Sequence, residues 1–126
     1  MMEFGAIALS TITEMAVNKI AAKSETEIFE RQARICKAFA HPVRLQILDF
    51  LGEGERGVSE LQEALGISKT SISQHMAVLK SVNVLSTRRE GKHIYCSLAM
   101  PEVKQACHLI RKVLKAQIAA SHRLVA

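Results

Sequence analysis

The side chains most suited to chemistry lie in two polar stretches within residues 57–93. The first stretch follows Gly66-Ile67 and carries hydroxyl, ammonium, amide and imidazole groups: Ser68, Lys69, Thr70, Ser71, Ser73, Gln74 and His75. In a DNA major groove Gln can bond adenine, Lys can reach guanine, and a hydroxyl can approach either edge. Hydroxyl and backbone N–H groups at a helix start can also hold a phosphate. This stretch predicts a helix that reads duplex DNA; the alternative is that Ser68 only caps the helix and Ser71 and Ser73 only solubilise it.

The second stretch is basic and is interrupted by Glu90-Gly91, which favours a tight turn between two strands. Its candidate DNA contacts are Arg88, Arg89, Lys92 and His93. The narrow minor groove attracts arginine through its negative potential, so we expect this hairpin to contact phosphates or the minor groove. The alternative is a charged hairpin that only discourages aggregation at a sheet edge. Arg44 is expected to brace the motif or touch a phosphate.

Charge is unevenly distributed along the 126 residues, whose formal net charge is +5. Ten of the twelve acidic residues precede Gly66, whereas residues 68–93 hold five Lys and Arg against Glu90 alone. A basic half next to an acidic half suits a surface that contacts phosphates. A solvated basic face with no partner would have the same composition.

Apolar spacing predicts the helices that position these stretches. Ser24 and Glu27 form a capping box for a helix that ends near residue 40, since the residue before Pro42 avoids helical geometry. Pro42 suits the first turn of a second helix. Ser59 is expected to cap a short third helix.

The remaining elements follow a turn at Gly66, where a glycine can adopt positive φ. The fourth helix begins after Ser68, and its inner face is predicted to carry Ile72, Met76 and Leu79. Strands are expected at 84–89 and 92–98, with Cys96 in the core in step with its apolar neighbours. A last helix should run from Pro101 to about residue 118.

Four helices, a hairpin and a final helix define a mainly α fold with a small β-hairpin, a winged helix-turn-helix. We expect an N-terminal extension at 1–23 that could be helical, a DNA-binding and dimerisation domain at 24–118, and a C-terminal tail at 119–126. The outer helices have more apolar surface than one small domain can cover, so a homodimer through the N- and C-terminal helices is predicted.

Other protein classes are disfavoured. Three cysteines without a CxxC spacing do not suit a secreted disulfide scaffold, so a reducing cytoplasm is expected. The apolar residues 4–17 are too short for a membrane span and lack the basic start of a signal peptide. No Ser-His-Asp order, carboxylate pair or phosphate loop is visible, so neither catalytic residues nor enzyme activity is predicted.

Four segments resemble the ArsR/SmtB family of bacterial winged-helix repressors: 40–48 (AHPVRLQIL), 58–66 (VSELQEALG), 67–76 (ISKTSISQHM) and 87–92 (TRREGK). The resemblance covers roughly residues 31–114. It departs from the family pattern at Met76, where Leu is usual, at Lys69, where Gln is common, and at Val82-Asn-Val, where a Gly-Leu pair is typical. The resemblance implies a homodimer that represses its own operon from an imperfect inverted repeat of double-stranded DNA and is released by an effector.

The effector is the least defined part of this resemblance. The third helix lacks the Cys pair that binds arsenite in founding members, and the last helix lacks the Asp-x-His and His-x-x-His pairs that hold zinc. His108 and His122 are too many turns apart to share one ion, so the standard zinc sites are disfavoured.

Cys36 and Cys107 remain as candidate sensors, because the resemblance places their two helices together at the dimer interface. Thiolates there could bind a soft metalloid such as As(III), or could be modified by a sulfur or redox species. Both could instead be small core hydrophobes. Related persulfide sensors usually carry another cysteine after Pro42, at the position of Asp49, so their mechanism does not transfer directly.

A different functional class also fits the sequence. A winged-helix interaction protein could use its basic face on a protein partner, without specific operator binding. A regulator differs from it by an affinity that falls steeply with salt and by its preference for one palindromic sequence.

Overall fold

The computed structural model describes residues 24–125. The N-terminal extension at 1–23, for which a helix is a prediction, lies outside the described residues. Helix α1 covers residues 24–39, close to its predicted end. The chain divides into two units, Met1–Cys36 and Lys37–Ala126, and the fold below concerns the second.

The second unit combines four complete helices with a small sheet. The helices are α2 (Pro42–Gly52), α3 (Val58–Leu65), α4 (Lys69–Ser81) and α5 (Glu102–Val125). The strands are β1 (Arg56–Gly57), β2 (Leu85–Glu90) and β3 (His93–Leu98). This order confirms the predicted winged helix-turn-helix. No helix within residues 24–125 is long and apolar enough to cross a membrane.

The starts of α2 and α3 show how local chemistry sets the boundaries. His41 is the N-cap of α2, where its Nδ1 accepts the N–H of Val43 at 3.1 Å, and Pro42 occupies the first turn as predicted. The prediction for α3 is wrong by two residues, because Gly57 rather than Ser59 is its N-cap. The Glu60 carboxylate accepts the Gly57 N–H at 3.4 Å and stabilises the helix start without a serine hydroxyl.

The turn between α3 and α4 forms as predicted. Gly66 has φ 64°, a left-handed conformation that disfavours side chains with a Cβ, and its N–H donates to the Gln62 carbonyl. Ser68 is the N-cap of α4, and its hydroxyl accepts the N–H of Ser71 at 3.1 Å. These two residues fix where the polar helix begins.

The sheet is antiparallel with the strand order β1-β3-β2. Glu90 lies opposite His93, so the hairpin turn is formed by Gly91, at φ 62°, and Lys92. Both strands of the hairpin begin one residue later than predicted. Strand β1 was not predicted, since two residues are too few to show the period of a strand.

The core is built from aliphatic side chains of the helices and the sheet. Its most deeply buried members are Ile47, Leu48, Leu61, Ile72, Leu79 and Cys96. Burial of Ile72, Met76 and Leu79 confirms the predicted inner face of α4, and burial of Cys96 confirms its assignment to the core.

Helix α5 is longer than predicted. It continues beyond residue 118 to Val125, so residues 119–125, expected to form most of a C-terminal tail, are helical. Its middle carries large apolar side chains that are each at least half exposed: Leu109, Ile110, Val113, Leu114 and Ile118. Within the described residues of the second unit this stripe has no covering element, and it bears on the oligomeric state below.

Candidate nucleic-acid interface

One face of α4 forms a shallow, open groove. Its lining residues are Lys69, Thr70, Ser73, Gln74 and Ala77. Their spacing places them on one side of the helix, while the buried Ile72 and Met76 occupy the other. No hydrogen bond or ion pair within residues 24–125 engages the Lys69, Thr70, Ser73 or Gln74 side chains. These four predicted contacts therefore lie together with their donors and acceptors available to a ligand.

Ser68 and Ser71 lie at the helix start rather than along this groove. The Ser68 hydroxyl is used by the cap, and Ser71 supplies the N–H that it accepts. The Ser71 side chain is half-buried. The structural role of Ser68 is thus established, whereas a phosphate contact at either serine stays a prediction.

His75 points away from the groove. Its Nδ1 lies 3.3 Å from a terminal nitrogen of Arg44, and its ring centroid lies 4.4 Å from that of His41. Burial lowers the pKa of His75 below its ordinary value of 6.5, and the nearby His41 and Arg44 charges lower this pKa further. Base contact at His75 stays a prediction, but the ring is already packed against α2.

The wing, defined as residues 85–98, divides its basic residues between two faces. Lys80 Nζ donates to the Thr87 hydroxyl at 2.9 Å, which connects α4 to β2. Because alternate strand residues share a face, Arg89 lies on the same face as Thr87, and Arg88 lies on the opposite face. The exposed His93 is on the Arg88 side, near Tyr95.

The Arg88 side chain is bound by other residues of the protein. Its guanidinium donates to both Glu55 carboxylate oxygens at 2.6 and 2.9 Å and to Glu90 at 2.9 Å. It also lies 4.4 Å from the centre of the Tyr95 ring. The hydrogen bond with Glu55 raises the pKa of Arg88 and lowers the pKa of Glu55. The arrangement makes Arg88 a brace of the wing.

Among the predicted DNA contacts within residues 24–125, three exposed cations are available to an anionic partner: Lys69 on α4, and Arg89 and Lys92 on the wing. None of them forms an ion pair or hydrogen bond with another residue in the described part of the chain. Cations that lack internal carboxylate partners can neutralise phosphates without first breaking a salt bridge. These three side chains are therefore available to phosphates, and their contact with DNA stays a prediction.

Sequence reasoning missed most of the residues that support this surface, the exception being Arg44, which was expected to brace the motif or touch a phosphate. Glu55 and Tyr95 hold Arg88, and His41 with Arg44 packs against His75. Arg88 and Glu55 are 33 positions apart, and so no local spacing could have paired them. The alternation along β2 was the one available signal, because it predicts different surroundings for Arg88 and Arg89.

The three cysteines have different environments. Cys96 is fully buried, and this burial raises the pKa of its thiol to about 11. Cys107 is half-buried beside a cavity of about 210 Å³ between α2 and α5, and its pKa is also raised by burial. Cys36 is exposed in the other unit.

Asp49, at the position where related persulfide sensors are expected to carry a cysteine, also lines this cavity. Asp49 accepts a hydrogen bond from Arg111 at 2.9 Å. Residues 24–125 contain no cluster of three or more His, Cys, Asp or Glu arranged to hold a metal ion.

Comparison with known proteins places this surface in a family. A profile of the family described as "Bacterial regulatory protein, arsR family" matches residues 41–87, which contain α3, the turn and α4. The HTH-type transcriptional regulator Rv0081 of Mycobacterium tuberculosis, itself described as uncharacterized, is 34% identical over 88 residues, which are 69% of this chain and 77% of the relative. The chain belongs to the ArsR family.

Solved structures agree with this membership. The crystal structure of Rv0081 matches this ArsR-family chain with a TM-score of 0.69 and 32% identity, covering 75% of this chain and 95% of that one. A homodimeric winged helix-turn-helix DNA-binding domain from Mycobacterium bovis matches with a TM-score of 0.69 and 34% identity, covering 75% and 87%. The predicted family and fold are thereby confirmed, and the chain is a DNA-binding transcriptional regulator of the ArsR type.

A curated relative carries a more specific description. The biofilm growth-associated repressor of Xylella fastidiosa is 34% identical over 85 residues, which are 68% of this ArsR-family chain and 75% of the repressor.

Proposed function

We propose that this protein is a homodimeric transcriptional repressor that binds an inverted-repeat operator in double-stranded DNA. The face of α4 carries this proposal, because the side chains of Lys69, Thr70, Ser73 and Gln74 have no hydrogen-bond or ion-pair partner among residues 24–125. Repression is the function named for the Xylella fastidiosa relative.

The two parts of the surface have different tasks in this proposal. Gln74 and Lys69 read base edges in the major groove, with Thr70 and Ser73 as shorter contacts. Arg89 and Lys92 hold the phosphate backbone or the adjacent minor groove and set the position of α4. Arg88 contributes indirectly, because its guanidinium is bound by Glu55 and Glu90.

Dimerisation supplies the symmetry that an inverted repeat requires. The exposed apolar stripe on α5 suits a second copy of the chain, since two-fold interfaces present the same patch on both subunits. A homodimer is also the state named for the Mycobacterium bovis domain. Two copies of α4 would then enter successive major grooves of one DNA face, about one helical turn apart.

For the signal, we propose an effector that acts on the thiols of Cys36 and Cys107, either As(III) or a sulfur or redox species. Cys96 is unsuited to this role, because burial leaves its thiol inaccessible and its pKa high. Cys107 lies beside a cavity, and Cys36 is exposed. Asp49 pairs with Arg111, so the chemistry at that position differs from that of a second thiol.

Fluorescence anisotropy on DNA from upstream of the gene tests the proposal. The labelled duplex is compared with a scrambled duplex at two salt concentrations, with reduced protein, oxidised protein, arsenite and zinc. Tight, sequence-dependent binding that one effector abolishes is the expected result. Binding that no effector changes would remove the thiol signal, and the absence of sequence preference would favour the protein-partner alternative.

A further inference from the structure

Arg44 connects the end of α1 to the DNA-reading helix α4. Its Nε donates to the carbonyl oxygen of Ala38, and its terminal nitrogen lies 3.3 Å from Nδ1 of His75. The side chain is half-buried and has no carboxylate partner among residues 24–125. The planar guanidinium thus holds two acceptors at once, which a point charge on a flexible stem could not do in the same geometry.

His41 completes a cluster with Arg44 and His75. As the N-cap of α2, His41 accepts the Val43 N–H at Nδ1, so its proton must be on Nε2. Its ring lies 4.4 Å from that of His75, with the ring planes at 49°. Two imidazoles and one guanidinium therefore lie together between α2 and the inner side of α4.

The cluster requires His75 to be neutral. Arg44 is always charged and can only donate, so the Nδ1 of His75 must be unprotonated to accept. The charges that act on His75 come from His41 and Arg44, both at the start of α2. Helix α3 and strand β2 also pack on α4, but none of their charged groups is among the causes of the His75 shift. Protonation would remove the acceptor and place a second cation beside the Arg44 guanidinium.

We propose that Arg44 and His41 are positioning residues, which set the placement of α4 through His75 and so control DNA affinity without touching DNA. The inference rests on the proposed function, in which α4 reads the operator.

The cluster predicts that acidification weakens DNA binding, which is the opposite of the usual effect of protonating a histidine. Protonating a histidine near a polyanion ordinarily strengthens DNA binding. Here the folded pKa of His75 lies below 6.5, so the neutral form is the one the folded protein favours. The contribution of the cluster to operator affinity is therefore complete above pH 6.5, and it is lost as the pH falls through the lower pKa that His75 has in the folded protein.

The first experiment measures operator affinity of the full chain between about pH 8 and about pH 5.5. The wild-type affinity should fall on acidification. In His75→Asn the amide oxygen takes roughly the place of Nδ1 and accepts from Arg44. Because the amide cannot be protonated, this variant should have the same operator affinity at the two pH values. His122→Asn, at an exposed position of α5, is the matched control and should keep the wild-type ratio. An equal acid loss in His75→Asn, or a wild-type affinity that rises on acidification, overturns the proposal.

The second experiment separates positioning from phosphate contact. Arg44→Gln should weaken operator binding by roughly threefold to tenfold, the worth of an ordinary hydrogen bond, and leave the salt slope unchanged. Arg44→Lys should not restore affinity, because an ammonium cannot bridge Ala38 and His75 in the same fork. A slope smaller by about one, or full rescue by Arg44→Lys, would identify Arg44 as a phosphate contact and overturn the proposal.

A DNA-independent measurement distinguishes the two possible failures. NMR titration of the His75 ring should give a pKa that rises towards 6.5 in Arg44→Gln, because a neighbouring cation is removed. Intact operator binding with no such coupling would overturn the positioning role alone. If the His75 pKa changes in Arg44→Gln but the protein binds no duplex, the proposed function is overturned, and with it the role of the cluster in DNA affinity.

Discussion

Arg88 and Glu55 form a two-contact ion pair across 33 positions of sequence, with N···O distances of 2.6 and 2.9 Å. The pair ties strand β2 to the loop before β1, and Tyr95 stacks beneath the same guanidinium. Arg89, the next residue, lies on the opposite face of the strand and has no internal partner within residues 24–125. Two adjacent arginines thus differ in what they can offer to DNA.

Replacing each arginine separately tests this difference. Arg89→Ala should weaken binding to specific and scrambled duplexes alike and reduce the salt slope by about one, since a phosphate contact releases counterions. Arg88→Ala should leave the slope close to the wild-type value, because Glu55 and Glu90 already neutralise its charge. Anisotropy titrations at several salt concentrations give both slopes. Equal losses of slope in the two variants would contradict the assignment.

Gln74 is the side chain on α4 best suited to base reading. Gln74→Ala should cost about 1–3 kcal/mol of operator binding and relax specificity at one base pair, while leaving scrambled-DNA binding unchanged. Gln105→Ala, at an exposed position of α5, is the matched control and should bind like the wild type. If operator affinity is the same in both variants, Gln74 does not read the operator.

The elements of this fold were predictable because their signals are local. Pro42, Gly66 and Ser68 each act within one turn of the chain, and all three mark boundaries that the structure confirms. Which polar side chains of α4 line the groove, and which pack against the rest of the protein, was not predictable in the same way. His75 belongs to the same helix as Gln74, but its position relative to Arg44 depends on how α2 packs against α4. The prediction that Ser59 caps α3 was wrong because the Glu60 carboxylate accepts the Gly57 N–H, which stabilises a helix that begins two residues earlier.

The apolar stripe on α5 predicts the oligomeric state. Leu114→Glu should dissociate the dimer, because each subunit would lose a buried side chain worth about 1.5–3 kcal/mol and place a charge in the interface. Leu114 is 53% exposed in the single chain, so the fold of the subunit should survive. Lys112→Glu lies on the opposite side of the helix and should remain dimeric. Analytical ultracentrifugation distinguishes these outcomes, and a dimeric Leu114→Glu would place the interface elsewhere.

Thiol reactivity should follow burial. Cys96, with a pKa of about 11 instead of 9.0, should have about one-hundredth of the thiolate of an ordinary cysteine at pH 8, and its side chain is inaccessible. Cys96 should therefore be alkylated by iodoacetamide last of the three, and faster as pH rises. Mass spectrometry of the alkylated peptides gives the order. Unfolding the protein in guanidinium should make the three rates similar, and early modification of native Cys96 would contradict its burial.

The sensory proposal makes its own prediction for the two remaining cysteines. Cys36→Ser and Cys107→Ser should each bind the operator as the wild type does, because neither residue lies on α4 or the wing. Each should fail to release DNA at an effector concentration that frees the wild-type protein, since loss of one thiolate removes a soft ligand or a redox partner. Cys96→Ala is the control and should still respond. If both serine variants respond normally to arsenite and to oxidant, Cys36 and Cys107 are structural residues, and the signal must act elsewhere.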